Sequence, residues 1–238
     1  MRRRTLHLVR HAESNWNVLT AGEHVGAHPH LIDVDSDLSP RGEQQIESLR
    51  GSPALAPPLE LILASPLRRA LRTAVALQDA NGGVALPIHV EPRATEWLEN
   101  SCDCGRPGSV IHQEFGSRVR GLKDLGDGWW PQLSNEDGDR PRSTSSTLAA
   151  LETGGRESAA SVDRRCSQLL HKLLYELSHD SIAIVAHCMV LHRLESMLRE
   201  PGHPVSNSYN ATICSGTNDN VEFLDNTEVR SITVSCRK

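Results

Sequence analysis

Short apolar runs that alternate with helical patterns constrain the fold of this chain more than any other feature. The runs occupy residues 5–9, 59–63 and 182–186. Runs of this length are typical of strands that are buried on both faces of a parallel sheet. Their alternation with helices predicts an α/β fold, which we expect to be a three-layer αβα sandwich with a mainly parallel central sheet. No linker or repeat divides residues 1–238, so one domain is expected.

The helical patterns have recognisable starts. Ser39 and Pro40 suit the N-cap and the first helical position, because serine accepts the first N–H groups and proline needs none. Ser65 and Pro66 repeat this arrangement before a second helix. The predicted later elements are helices over 66–79, 157–178 and 188–199 and a hairpin over 221–224 and 229–234.

Residues 101–155 differ in composition from the rest of the chain. They are rich in Gly, Ser, Asp and Pro, and residues 134–147 are almost entirely polar. Such a segment predicts an insertion over the active site that includes a mobile loop. Trp129 and Trp130 in its middle either cover the substrate or form a small apolar cluster under the insertion.

The charge of the chain excludes some partners. Lys and Arg number 25 and Asp and Glu number 30, so the formal charge is −5. Such a chain lacks the broad basic field that non-specific nucleic-acid binding requires, and we expect no nucleic-acid partner. No apolar run approaches the roughly 20 residues of a membrane helix, so we expect no membrane partner. Six scattered cysteines favour free thiols and a cytoplasmic location.

Cationic side chains follow each of the three apolar runs. Arg10 and His11 follow the first, Arg69 opens the helix after the second, and His187 follows the third. Each pattern alone is more often an ordinary polar strand end. Because ligands bind at the carboxyl ends of strands in open α/β sheets, the three together predict two imidazoles and two guanidiniums around one phosphoryl group.

These runs resemble the histidine phosphatase superfamily, in its plant and fungal phosphoglycerate mutase-like branch. Residues 8–17 resemble its Arg-His-Gly signature, and residues 38–45 resemble the motif that follows. Residues 65–74 match its Ser-Pro-Leu-x-Arg-Ala-x-x-Thr-Ala element, and residues 185–187 resemble its second-histidine strand. The order and spacing agree over most of the chain, and the likeness is weakest across 105–150.

The resemblance implies roles for individual residues. His11 would be the nucleophile, and Glu96 would be the general acid, with Glu99 as its rival. The groups that would hold the phosphoryl oxygens are Arg10, Arg69, His187 and Asn17. The loop that would lie near the substrate contains Cys102, Asp103 and Gly105. Residues 156–158 would be structural or would support the site.

The implied activity is metal-independent hydrolysis of a phosphomonoester through a phosphohistidine, with no cofactor. The substrate would be a small phosphorylated molecule or a phosphoprotein. One alternative is a phosphoglycerate mutase-type phosphotransferase, although residues 18–37 lack the Phe-Thr-Gly-Trp stretch of glycolytic mutases. Another is a catalytically silent phosphate-binding or scaffold protein. Ala12, Cys188 and Met189 depart from the family pattern, and Met189 would narrow the pocket or repack the helix start.

Two further patterns favour structural interpretations. A run of histidines and aspartates could bind a metal, but its spacing matches no strong ligand pattern and favours a solvated loop; its members are His24, His28, His30, Asp33, Asp35 and Asp37. Cys102 and Cys104 lack the spacing of a zinc knuckle, and Cys188 is expected to be a packed thiol.

Overall fold

A six-stranded sheet forms the centre of the chain. The computed structural model describes residues 2–21, 28, 32–134, 143–199 and 224–236. The strands are β1 (Arg2–Arg10), β2 (Leu61–Ala64), β3 (Ile88–Val90), β4 (Val119–Arg120), β5 (Ser181–Ala186) and β6 (Val229–Cys236). Their order is β4-β3-β2-β5-β1-β6, and all neighbours are parallel except β1 and β6. The predicted mainly parallel sheet is therefore confirmed.

Helices cover both faces of this sheet. The α-helices of the described residues are α1 (Asn15–Leu19), α2 (Pro40–Arg50), α3 (Arg68–Asn81), α4 (Gly108–Phe115), α5 (Thr144–Glu152), α6 (Ala159–His171) and α7 (Cys188–Arg199). Ile182 and Ile184 of β5 pack with α6 and α7. Ala183 and Val185 pack with α3 and α4 on the opposite face, because side chains alternate along a strand. This arrangement is the predicted three-layer αβα sandwich.

The start of α3 differs from the prediction. The helix begins at Arg68 and not at residue 66, because Leu67 is extended. The Ser65 hydroxyl does not cap the helix; it lies 2.8 Å from His187 Nε2 and accepts the Leu67 N–H. A distant residue supplies the cap instead, since Asp35 Oδ1 accepts the Arg68 N–H at 2.9 Å. Ser39, in contrast, caps α2 as predicted by accepting the Gly42 N–H.

Two later elements also differ from their predicted bounds. The third long helix ends at His171 and continues as a π-helical turn over Lys172–Glu176. Strand β6 is present, but it pairs with β1 along eight positions. Residues 221–223 of the predicted hairpin lie outside the described residues, and Leu224 is not part of a strand. The prediction for residues 188–199 is confirmed.

Residues 101–155 do not all lie over the site. Val119–Arg120 is the edge strand β4, and Ile111 and Phe115 of α4 belong to the core on the α3 side. Trp130 is fully buried in a separate cluster with Leu98, Cys104, Leu133 and Leu151. The apolar-cluster alternative for the tryptophan pair is therefore the correct one.

Two properties of the described residues concern the predictions about membrane helices and free thiols. None of their helices combines the length and apolar character needed to cross a bilayer. The described cysteines at 102, 104, 166 and 188 are free thiols.

Candidate active site

The polar residues at the end of β1 and at the start of α3 line one cavity of about 590 Å³. His187, which follows β5, lies beside His11 but is not among the described residues that line this cavity. Arg10 ends β1, His11 follows it, and Arg69 is the second residue of α3. Because β1 and β2 pair in parallel with β5 from its two sides, the carboxyl ends of the three strands lie at the same edge of the sheet. The predicted residues that line the cavity are Arg10, His11, Asn17, Arg69, Glu96, Glu99, Cys102 and Asp103.

His11 is held in one tautomer. Its Nδ1 lies 2.7 Å from the carbonyl oxygen of Ala12, which can only accept, so Nδ1 carries the proton. The lone pair of Nε2 then accepts the N–H of Arg69 Nε at 3.3 Å. Burial lowers the pKa of His11 well below its usual value, and the charges of Arg69 and Arg10 lower it further. The imidazole is therefore neutral, with an unprotonated nitrogen on the side of Arg69.

Arg69 is a buried cation fixed from two sides. Its Nη1 donates to the Cys102 carbonyl at 2.7 Å, and its Nη2 donates to Asp103 Oδ1 at 2.9 Å. Burial raises the pKa of Asp103, although the guanidinium opposes the rise. Together with the bond to His11, these contacts use three of the five guanidinium N–H groups and fix its plane against the nucleophile.

His187 lies beside His11 and is fully buried, with a ring-centre separation of 5.0 Å. The Ser65 hydroxyl accepts the Leu67 N–H at 3.3 Å and lies 2.8 Å from His187 Nε2. Within the described residues, the buried Nδ1 of His187 has no hydrogen-bond partner. Burial lowers the pKa of His187 well below its usual value, and the charge of Arg69 adds to the effect.

Arg10 supplies a second donor of the same kind. Its Nη1 donates to the Leu224 carbonyl at 2.7 Å, and among the described residues its buried Nε has no partner. Unpaired buried donors cost free energy, about 1–3 kcal/mol each. Arg10 Nε and His187 Nδ1 are therefore suited to an anion held next to His11.

The buried carboxyl group of Glu96 has the hydrogen-bond contacts and the raised pKa that are expected of a general acid. Its oxygens accept the N–H groups of Trp97 at 2.9 Å and of Met189 and Val190 at 3.3 Å, at the first turn of α7. Burial raises its pKa to about 7, and the charge of Asp103 acts in the same direction. The amide donors and Arg69 oppose the rise. A substantial fraction of Glu96 is thus protonated near neutral pH.

Glu99, the rival acid, lines the same cavity. Burial raises its pKa, with a further contribution from Asp103. In the described part of the chain its carboxylate accepts no hydrogen bond, whereas Glu96 accepts three. The fixed geometry favours Glu96 for proton transfer.

The remaining predicted site residues have clear positions. Asn17 lines the cavity, and its Oδ1 accepts the Ser14 N–H at the start of α1. Gly105 is not among the described residues that line the cavity, and its predicted place near the substrate stays a prediction. A Cβ built there would lie 2.2 Å from the Trp129 ring, so packing requires a glycine at this position.

The two departures after His187 also lie at the site. Cys188 and Met189 both line the cavity. Burial raises the pKa of Cys188 to about 11, so its thiol is neutral. Met189 thus contributes bulk to the wall, as one of the two predicted alternatives stated.

Three residues of the site were missed by the sequence analysis. The Asn226 amide donates to the His11 carbonyl at 2.8 Å, and the Ser65 hydroxyl lies 2.8 Å from His187 Nε2. Thr73 Oγ1 accepts the Ala12 N–H at 2.9 Å and donates to the Arg69 carbonyl, so it ties the nucleophile loop to α3. Thr73 lies within the matched 65–74 motif, which was the available signal, whereas Asn226 belongs to no motif.

The histidine and aspartate run does not converge on a metal site in the described residues, where no group of three such ligands occurs. Asp35 caps α3, and Asp37 forms ion pairs with Arg68 and Arg72, each at 2.9 Å. The extra arginines at this helix start are thereby neutralised. His24 and His30 lie outside the described residues.

Comparisons with known proteins identify a family and relatives that resemble this chain. A family model described as the histidine phosphatase superfamily, branch 1, matches residues 6–132. A phosphoglycerate mutase-like protein of Arabidopsis thaliana is 36% identical over 94 residues, which are 37% of this chain and 34% of the relative. The chain therefore aligns with about a third of that relative's length.

Solved structures share the fold. An α-ribazole phosphatase from Shigella flexneri has a TM-score of 0.54 at 18% identity, covering 98% of this chain and 95% of its own. A phosphoserine phosphatase from Entamoeba histolytica, in complex with 3-phosphoglyceric acid, has a TM-score of 0.50 at 22% identity. That alignment covers 96% of this chain and 89% of the other.

Proposed function

This chain belongs to the histidine phosphatase superfamily, and we propose that it is a metal-independent phosphatase that hydrolyses a small phosphomonoester through a phosphohistidine on His11. The observation that carries the proposal is the state of His11. A neutral ring whose Nδ1 proton is bound to a backbone carbonyl presents the unprotonated Nε2 that nucleophilic attack requires. That nitrogen lies against a fixed guanidinium.

In the first step the substrate phosphate accepts hydrogen bonds from Arg10, Arg69 and His187 Nδ1. His11 Nε2 attacks phosphorus in line, the N–P bond forms, and the bond from phosphorus to the alcohol oxygen breaks. Glu96 donates its proton to the departing alkoxide. The guanidiniums stabilise the charge on the equatorial oxygens, because their planar forks match phosphate geometry.

In the second step water replaces the histidine. The Glu96 carboxylate, now deprotonated, takes a proton from water as its oxygen attacks the phosphorus of the phosphohistidine. The N–P bond breaks, inorganic phosphate leaves, and neutral His11 is restored. A pKa of about 7 suits Glu96 to both roles, since it must give up and regain the proton in each cycle.

The size of the cavity supports a small substrate over a phosphoprotein. A volume of about 590 Å³ lies within the range of about 300–1,000 Å³ that is typical of small-molecule sites. Phosphoserine phosphatase and α-ribazole phosphatase, whose folds are similar, are named for small phosphorylated substrates. The complete set of phosphate donors, with an acid of near-neutral pKa, favours catalysis over a silent binding role.

The test is hydrolysis of p-nitrophenyl phosphate in excess EDTA. Wild type should turn over, and His11→Ala should lose at least about 10³-fold in kcat, because removal of a covalent nucleophile costs orders of magnitude. The matched control is His171→Ala, an exposed histidine at the end of α6. Activity in His11→Ala above about a tenth of wild type would exclude the nucleophile role.

A second measurement separates hydrolysis from phosphotransfer. Rapid acid-free quenching with ³²P-labelled substrate should trap a base-stable, acid-labile phosphoprotein in wild type only. Addition of an alcohol acceptor then decides between the two activities. A phosphatase releases inorganic phosphate at the same rate, whereas a mutase-type transferase diverts the label to the acceptor.

A further inference from the structure

The segment that carries Glu96 has little regular structure of its own. It leaves β3 through a short 3₁₀ turn over Pro92–Ala94 and then runs without a helix or a strand. A segment of this kind needs side-chain contacts to define its position, because it has no ladder or helical hydrogen bonds to do so.

Arg165 of α6 supplies those contacts on one side of Glu96. Its Nη1 donates to the carbonyls of Arg93 and Thr95, at 2.9 and 2.6 Å. Its Nη2 donates to the carbonyl of Glu96 itself at 3.1 Å. Its remaining two N–H groups reach the Glu157 carboxylate at 2.9 and 3.0 Å. All five donors of the guanidinium therefore have an acceptor.

Glu157 holds the other side of the segment. Its Oε2 accepts the Leu98 N–H at 3.3 Å, and its carbonyl accepts the Trp97 indole N–H at 2.8 Å. The Glu157 N–H donates back to the Leu98 carbonyl at 3.0 Å. The Glu157 side chain is fully buried and the Arg165 side chain is 10% exposed, so neither is a mobile surface group.

We infer that Arg165, held by Glu157, is a positioning residue that sets where the Glu96 carboxyl group stands relative to the leaving oxygen. The inference rests on the proposed function, in which Glu96 is the general acid. The planar fork of arginine meets carbonyls from three residues at fixed angles, and a lysine ammonium with three donors cannot replace it. With the backbone held at residues 93–98, the Glu96 carboxylate accepts the N–H groups of Trp97, Met189 and Val190 and lines the cavity.

The pH dependence follows from the surroundings of Glu96. The groups that face it are Asp103, Arg69, the thiols of Cys102 and Cys188, and the N–H groups of Trp97, Met189 and Val190. Burial is the largest cause of its raised pKa. A loosened segment would expose the carboxyl group to water and lower that pKa. The loss of acid catalysis with rising pH would then begin at a lower pH.

The experiment compares Arg165→Lys with wild type and Glu96→Gln on two substrates. Glycerol 2-phosphate has an alkoxide leaving group that needs a proton. The leaving group of p-nitrophenyl phosphate is p-nitrophenolate, which hardly needs one. The control is Arg118→Lys, whose guanidinium bonds Gln78 and Asp79 outside the cavity lining. A pH profile of kcat/KM on glycerol 2-phosphate, which reports the acid of the free enzyme, is recorded for each variant.

Glu96→Gln should lose about 10²–10⁴-fold in kcat/KM on glycerol 2-phosphate, the usual value of general acid catalysis, and less than about 3-fold on p-nitrophenyl phosphate. The comparison uses kcat/KM because this constant reports only the first step, whereas kcat includes the hydrolysis of the phosphohistidine, in which Glu96 acts on both substrates alike. Arg165→Lys should show the same selectivity with a loss of about 10–10²-fold, as expected for an acid displaced by about 1 Å. Its basic limb should move to lower pH. Arg118→Lys should change neither the selectivity nor the profile.

Partial unfolding does not imitate this result, because both substrates report on the same folded fraction and their ratio is unchanged. Should Arg165→Lys fail to fold, Glu157→Gln keeps the shape of the partner and should shift the ratio in the same direction. If Arg165→Lys lost activity equally on both substrates and its pH profile did not move, while Glu96→Gln kept its selectivity, the inference about Arg165 would be overturned and Glu96 would remain the acid. A Glu96→Gln variant without selectivity would instead refute the proposed acid itself.

Discussion

Glu96 should limit the stability of the protein above neutral pH, and Glu96→Gln should relieve that limit. The pKa of this carboxyl group is about 7 in the folded chain and 4.5 for an unperturbed glutamate. At about 1.4 kcal/mol for each pH unit, this difference corresponds to about 3 kcal/mol. The folded state binds the proton more tightly than the unfolded state, so the protonated form is favoured by folding. Stability is therefore lost as the pH rises from about 4.5 to about 7.

Glutamine imitates the protonated acid at every pH. It also places an amide N–H₂ near one of the three backbone donors, which costs about 1–2 kcal/mol whatever the pH. The change in stability on substitution should consequently be slightly negative at pH 4. It should rise by about 3 kcal/mol by pH 8, where the variant should be the more stable protein. The rise, and not the offset, is the quantity that tests the reasoning.

The assay is urea unfolding of wild type and Glu96→Gln at half-unit steps between pH 4 and pH 8. Glu152→Gln, which changes an exposed carboxylate on α5, serves as the control and should show no such rise. A difference between wild type and Glu96→Gln that stays constant across this range would refute the reasoning. It would mean that the carboxyl group is not held in its neutral form by burial, and the case for Glu96 as the acid would lose its electrostatic basis.

Two further substitutions test other parts of the site. Ser65→Ala should reduce kcat/KM about 10-fold or more, because it removes the hydroxyl that lies 2.8 Å from His187 Nε2 and orients this ring. Ser48→Ala on the exposed face of α2 should have no effect. Equal activities of Ser65→Ala and wild type in steady-state assays would contradict a role of Ser65 in orienting His187. Gly105→Ala should lower the free energy of unfolding by about 1–3 kcal/mol, because its Cβ would meet the Trp129 ring at 2.2 Å, and KM should change little. A raised KM without a loss of thermal stability would instead indicate that Gly105 contacts the substrate.

The positions of the proposed phosphate-binding residues could be predicted from the sequence because they depend on a rule of sheet geometry. Arg10 ends β1, and His11 and His187 directly follow β1 and β5. Parallel strands place such residues at one edge of the sheet. The rule does not depend on the order of the strands in the sheet, which could not be predicted from the sequence. The pairing of β5 with both β1 and β2 then determines that His187 lies beside His11.

The misassigned features depend on contacts between distant segments. Ser65 and Ser39 have the same local Ser-Pro pattern, yet only Ser39 caps a helix, because the Ser65 hydroxyl is engaged by a histidine 122 residues away. Strand β4 has only two residues and pairs with β3 inside a polar, glycine-rich stretch, so no periodicity marks it. Local propensity cannot contain such information, since another part of the chain supplies the deciding partner.

The proposed phosphate-binding residues and the proposed general acid belong to separate parts of the molecule. Arg10, Arg69 and His187 come from the interior of the sheet, from β1, α3 and the end of β5. Glu96 arrives on a side-chain-anchored segment beyond β3, towards the sheet margin. Exchange of residues 91–98 together with their anchors at 157 and 165 between homologous enzymes should therefore transfer leaving-group preference alone. In such a scaffold, the range of alcohols released can diversify while the chemistry at phosphorus is inherited unchanged.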